Sequence, residues 1–183
     1  MRLIRTLAAA CLVAAIAIPA AFAGGGTAPT AKAVGYAALL PVGTQGAVAA
    51  TATGPRENGT SVGGLRPAGG GTIASIRVGV AASTEGLSGA AEGSVVISGV
   101  TMLDGRVSIG SVRMAARAVP GGAGGGLTEG SVSGLTVDGA AVAAGPGSRV
   151  DVPGIGTLVF LEQVSDGAGS VRANGVRLEV TDA

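Results

Sequence analysis

Carboxylates are the only general acids or bases this chain has left to use. Its 183 residues contain eleven Asp and Glu but no His and no Trp, and the one Cys stands at position 11. Ser-His-Asp and Cys-His nucleophilic sites, zinc fingers and His-ligated metal sites all need residues that are missing. A carboxylate-dependent hydrolase needs two acids held at a set separation. Glu85, Glu92, Asp104, Glu129, Asp138, Asp151, Glu162 and Asp166 stand singly in the sequence, so only folding could bring two of them into one cleft. The run Gly121 to Gly126 invites a phosphate loop, yet no Lys-Ser or Lys-Thr pair follows it. A glycine-rich calcium repeat fails as well, because Gly126 fills the place its Asp would take. Arg113 and Arg117 fall on one strand face, where they can line a binding surface or discourage edge-to-edge pairing. Tyr36 and Phe160 are the only aromatics beyond position 22, too few for the stacking on which sugar-binding modules commonly rely. Asn58-Gly59-Thr60 has the form of a glycosylation sequon. These residues imply no catalytic centre, no cofactor and no metal.

Residues 1–23 read as a secretory leader. A cationic start with Arg2 and Arg5 is followed by an apolar run, then Pro19, then Ala21-Phe22-Ala23 with small residues where signal peptidase cuts. Cleavage after Ala23 leaves 160 residues, and removing Arg2 and Arg5 from the 12 basic residues leaves 10 against 11 acids. A net charge of −1 gives no field to steer nucleic acid or an anionic membrane. No later stretch is long and apolar enough for a membrane-spanning helix. The chain is therefore expected in an extracytoplasmic space, secreted or associated with the envelope.

Glycine dictates the kind of scaffold that can carry these residues. All 35 glycines fall after the leader, about 22% of 160 residues where roughly 7% is usual. In element interiors each would cost about 0.5–1 kcal/mol relative to Ala, so most must occupy turns, bends and left-handed positions. A protein of many short strands offers such places and a helical one does not. Ala74, Ile76, Val78, Val80 and Ala82 alternate with small or charged residues, as do Val112, Met114, Ala116 and Ala118, which is the period of half-buried strands. Between Ser94 and Leu103 both alternating sets are apolar, which suggests a strand covered on both faces. Asp104-Gly105 and Asp138-Gly139 predict hairpin turns. The best helical candidate, Thr84 to Glu92, is interrupted by Gly86 and Gly89.

A spacing Gly-x-Val-x-x-x-x-Val recurs at Gly93/Val95/Val100, Gly105/Val107/Val112, Gly130/Val132/Val137 and Gly169/Val171/Val176. Odd spacing puts the two valines on opposite faces of an ideal strand. A glycine lies between them each time (Gly99, Gly110, Gly134, Gly175), and a bulge or bend there would turn both valines inward, as where a strand passes between sheets. The expectation is an all-β, antiparallel, sandwich-like domain of short Gly/Val-rich strands over 33–183, with a β-solenoid or β-roll as the alternative. A flexible segment is expected at 24–32 and loops at 54–72 and 119–130, the second joining two strand groups.

The order of several segments resembles the choice-of-anchor P family of secreted bacterial surface proteins. They are Ala33-Val-Gly-Tyr-Ala-Ala-Leu-Leu-Pro-Val42, Val100-Thr-Met-Leu-Asp-Gly-Arg-Val107 with Ser111-Val-Arg-Met-Ala-Ala-Arg-Ala118, Gly134-Leu-Thr-Val-Asp-Gly139, Val150-Asp-Val-Pro-Gly-Ile-Gly-Thr157 with Leu161-Glu-Gln163, and Val171-Arg-Ala-Asn-Gly-Val176. The resemblance implies a shared ectodomain and a surface location and supplies no reaction. The chain departs from the pattern by ending in Glu179-Val-Thr-Asp-Ala183 without an anchoring tail, and by lacking an Asn before Glu162-Gln163. The functional expectation is a secreted, non-catalytic structural or interaction protein with cell-wall or other surface components as partners. A small-ligand or glycan-binding module, a carboxylate hydrolase and a self-assembling sheet are the alternatives.

Overall fold

Valine and isoleucine alternating with Ser, Thr, Arg and Gly build strands throughout the computed structural model, in which no described residue is helical. The structure describes the backbone of residues 30–35, 38–40, 43–45, 48–53, 56–66, 71–85, 88–118, 126–165 and 171–180; the leader, Tyr36 and residues 119–125 lie outside it. The strands are β1 (Thr30–Gly35), β2 (Ala38–Leu40), β3 (Gly43–Gln45), β4 (Val48–Thr53), β5 (Arg56–Leu65), β6 (Thr72–Glu85), β7 (Ser88–Met102), β8 (Val107–Ala118), β9 (Gly126–Ser133), β10 (Thr136–Val137), β11 (Ala140–Ala141), β12 (Arg149–Val152), β13 (Gly156–Ser165) and β14 (Val171–Val180). A seven-stranded antiparallel sheet runs β5-β6-β7-β8, with β9 and then β10-β11 sharing the far side of β8. A three-stranded sheet, β12-β13-β14, packs on β8 and β9. The ribbon of β1 and β4 lies against β5, β6 and β7, and β2 pairs with β3. The architecture is an all-β sandwich-like fold.

The core lies on one face of the large sheet. Ile76, Val78 and Val80 on β6, Val95 and Ile97 on β7, and Val112, Met114 and Ala116 on β8 are buried there. Their neighbours Arg77, Ser94 and Arg113 are exposed on the other face. From the small sheet come Leu158, Phe160, Leu161, Val176 and Leu178. Gly175 faces Met114: a Cβ there would stand 3.1 Å from the Met114 methyl and 3.4 Å from Val112, so the missing side chain is the slot that Met114 fills.

The inward pattern changes phase along a line that crosses five strands. On one side of it Val62, Ile76, Ile97, Val112 and Val132 face inward, and on the other Leu65, Ile73, Val100, Ile109 and Leu135. Between them each strand turns two consecutive small residues outward: Gly63-Gly64, Ala74-Ser75, Ser98-Gly99, Gly110-Ser111 and Ser133-Gly134. Gly64, Gly99 and Gly134 take left-handed φ of 67°, 62° and 63°. Register is unchanged across the line, with Ser75↔Ser98 and Ile73↔Val100, then Ser98↔Ser111 and Val100↔Ile109. At Gly99, Gly110 and Gly134 the glycine bend expected between the paired valines is present as a crease without an inserted residue, and the strands stay in one sheet instead of passing to another; Gly175 lies in the small sheet, away from this crease. The apolar run of β7 has the same cause: Val95 and Val100 reach one core from the two sides of Gly99.

Both Asp-Gly pairs make hairpins. Asp138 and Gly139, with φ of 50° and 79°, form the two-residue loop between Val137 and Ala140. Leu103, Asp104 and Gly105 all take left-handed φ in the turn closed by Gly105 N–H donating to the Met102 carbonyl at 3.2 Å.

Four boundaries differ from expectation. Residues 56–65, expected in a loop, form the edge strand β5, because backbone pairing to β6 over nine residue pairs compensates for a sequence with few apolar side chains. Only the stretch between Leu65 and Thr72 separates the two strands. β1 begins at Thr30, inside the segment expected to be flexible, and pairs with β4 from that residue. Thr84 and Glu85 continue β6 and pair with β7. The second expected loop joins neighbours in one sheet, since β8 and β9 pair with each other and Gly126–Gly130 already belongs to β9. The crossing between sheets comes later, at 142–148, where Val142 N–H donates to the Leu135 carbonyl and Phe160 N–H to the Ser148 carbonyl.

Candidate functional site

The outward face of the large sheet is exposed along β6 to β9, and register orders its side chains into rows. Near the crease the row Ser75, Ser98, Ser111 and Ser133 crosses β6 to β9, and a second row, Thr72, Thr101, Ser108 and Thr136, lies on the far side. The hydroxyls of Ser111 and Ser133 are 2.9 Å apart and those of Thr72 and Thr101 2.8 Å. Away from the crease comes the row Ser61, Arg77, Val96, Arg113 and Ser131, then Gly59, Gly79, Ser94, Ala115 and Glu129, then Glu57, Ala81, Glu92 and Arg117.

The small residues of the middle row sink a trough between charged rows. One hollow of about 400 Å³ is lined by Thr60, Ser61, Arg77 and Val96, and a second of about 250 Å³ by Glu57, Asn58, Glu92 and Thr128. Gly79 and Ser94 line both, so the two adjoin along the middle row. Gly79 has no left-handed φ; its role is spatial, since a Cβ would lie 2.8 Å from the Ser94 hydroxyl and fill the floor. Asn58 is folded back onto its own strand, its Oδ1 accepting from the Gly59 N–H at 2.8 Å. The sequon therefore stands on an exposed edge strand.

Asp138, Glu162 and Glu179 are held by arginines. Asp138 is gripped by both arms of the Arg106 guanidinium at 2.6 and 2.8 Å, and the same guanidinium reaches the Pro153 carbonyl at 3.0 Å, tying two hairpin turns to the β12–β13 turn. On the small sheet Arg177 donates to both oxygens of Glu162 at 2.9 Å and pairs with Glu179 at 2.6 Å; Arg149 bonds Glu179 from the other side. Asn174 adds a bond to Glu162 at 3.1 Å. The Arg177 hydrogen bonds pull the Glu162 carboxyl below its ordinary 4.5 against the opposing effect of burial. Those from Arg177 and Arg149 lower Glu179, and the one from Arg106 lowers Asp138 from 3.8. A general acid needs the opposite shift. These three carboxylates are anionic partners of arginine.

Of the acids weighed from sequence, Glu92 pairs with Arg117 at 3.6 Å, Asp104 is exposed on its turn, Glu129 is exposed on β9, and Asp151 accepts from the Thr157 hydroxyl at 2.9 Å. The side chains of Glu85 and Asp166 lie outside the described residues. Among the described residues no three His, Cys, Asp or Glu side chains converge to hold a metal ion, and no helix is long and apolar enough to cross a membrane. Arg113 is exposed on the outward face beside the trough, and Arg117 shares that face but is tied to Glu92. Phe160 is fully buried and gives no stacking surface. The trough was not legible in the sequence, because its floor gathers one small residue from each of four strands. No protein-family model, curated protein or solved structure matches this chain.

Proposed function

We propose that the protein is a secreted, non-catalytic contact module that works through the open face of its large sheet in the extracytoplasmic space. The observation that carries this reading is the trough across β5 to β8, floored by Gly79 and Ser94 and bordered by charge, on a sheet whose opposite face is committed to the core. A rigid surface with a shallow, hydroxyl-lined channel suits an extended polymer better than a compact small molecule, which needs an enclosing pocket. The leader-like first 23 residues and the resemblance to choice-of-anchor P surface proteins support the compartment. The arginine-bound carboxylates favour contact over hydrolysis. The test is retention of the purified chain on insoluble envelope polymer from the producing cell, with the Gly79→Thr variant beside it. Thr suits a strand and sits at an ordinary φ, so the fold persists while the floor is filled. Saturable retention, reduced about tenfold or more by Gly79→Thr, is expected. Retention indifferent to that substitution, or release of sugars or peptides from the polymer, overturns the reading.

A further inference from the structure

Arginines in the described structure divide into two groups. Arg106, Arg117, Arg149 and Arg177 each face a carboxylate within ion-pair distance. Arg66, at the end of β5, faces none among the described residues, and neither do Arg77 and Arg113, which stand together on the open sheet face. Register puts these two on one row: Arg77 pairs with Val96 and Val96 with Arg113. They stand on the same exposed face, two strand spacings or about 10 Å apart, with half-buried Val96 between them. Their cross-strand neighbours Ser61, Val96 and Ser131 carry no charge that could neutralise them.

We infer that this row binds an extended acidic polysaccharide, with carboxylates of the glycan on Arg77 and Arg113 and a sugar ring over Val96. The inference rests on the open face being the contact surface and names what it contacts. Arginine's planar fork matches a carboxylate with two parallel hydrogen bonds, which a lysine cannot reproduce. A chain bearing its acid groups on alternate sugars spaces them on the scale of the two arginines. The apolar C–H face of a pyranose suits Val96, and its hydroxyls suit Ser61 and Ser94, which line the hollow beside Arg77. Single-stranded nucleic acid is a poorer occupant, because bases need aromatic platforms and the face presents none among its described side chains.

The test titrates the leader-free chain with a hyaluronate octasaccharide, which carries a carboxylate on every second sugar. A neutral chitin oligomer of similar length and a single-stranded DNA serve as competing arms. Saturable hyaluronate binding that weakens with salt is expected, at least about tenfold tighter than either comparison. The double variant Arg77→Gln/Arg113→Gln should lose about tenfold or more in affinity, and Arg66→Gln, one positive charge fewer at the end of β5, should lose little. Both arginines are exposed, so an unchanged melting temperature establishes that the double variant is folded. Arg77→Lys/Arg113→Lys keeps the charge and loses the fork, and should bind at an intermediate affinity. Absent hyaluronate binding, equal binding of DNA, or undiminished binding by the folded double glutamine variant each overturns the inference. If hyaluronate fails while Gly79→Thr still abolishes retention on envelope polymer, the acidic glycan is wrong and the contact surface stands. If neither effect is seen, both fall.

Discussion

Gly99 shows at one position why the chain invests so heavily in glycine. Its left-handed φ of 62° turns the inward pattern of β7 over, so that Ile97 and Val100 both reach the core. A Cβ there would meet the Ala74 Cβ at 2.6 Å, a contact between two atoms that cannot rotate away. Gly105 has a similar φ of 84°, but nothing lies within 4 Å of its absent Cβ. Comparing the two separates backbone strain from crowding. Gly105→Ala should cost about 1–2 kcal/mol, the penalty of a left-handed L-residue. Gly99→Ala should cost that plus the displacement of β6, about 3 kcal/mol or more in all. Urea unfolding midpoints of the two variants measure the difference, and equal shifts would mean that the crease tolerates a Cβ and is not set by close packing.

At the scale of the strand, the small sheet is joined by side-chain charge as well as by its backbone ladder. Arg177 on β14 bridges to Glu162 on β13 and to Glu179 on its own strand, and Glu179 reaches Arg149 on β12. Glu162 has a folded pKa below its ordinary 4.5, so its contribution to stability is fully present above about pH 4.5 and is lost as pH falls further through the folded value. Glu162→Gln should therefore lower the melting temperature at pH 7 and flatten its decline below pH 4.5, until variant and parent converge in acid. A variant whose acid limb runs parallel to the parent's would show that Arg177 adds nothing across the pair. The cross-strand links of this network are invisible in the sequence, because Glu162 and Arg177 lie 15 residues apart and Arg149 and Glu179 lie 30 apart, and only register makes them neighbours. Other features were legible because residue type reports backbone conformation directly. The valines spaced by five around Gly99, Gly110 and Gly134 predicted a bend at the crease, and the two Asp-Gly pairs predicted their hairpins. β5 escaped because an edge strand with exposed side chains has no apolar alternation to read. The two sheets were divided at the wrong place because the glycine run at 121–126 looks more like a boundary than 142–148, which does the crossing through backbone hydrogen bonds.

At the scale of the molecule, the open face depends on the hidden one. Arg77, Ser94 and Arg113 can be presented to solvent as a rigid array only while Ile76, Val95, Val112 and Met114 are covered on the reverse side. Part of that cover is the small sheet, where Phe160 is fully buried and its neighbour Gly175 seats Met114 from β8. The two sheets therefore share one core and should unfold as one unit. Phe160→Ala removes the largest fully buried side chain among the described residues and should cost about 3–5 kcal/mol, a large part of the 5–15 kcal/mol typical of a whole domain. If the layers are coupled, native-state hydrogen exchange of this variant should lose protection by the same free energy in β7 and in β13. The loss should reach the trough, whose floor residue Ser94 is flanked by the buried Val95. Faster exchange confined to β12, β13 and β14, with β6 and β7 keeping full protection, would mean that the large sheet stands without its partner layer. The rigidity of the contact face would then have to come from the β1/β4 ribbon and the strand ladder alone.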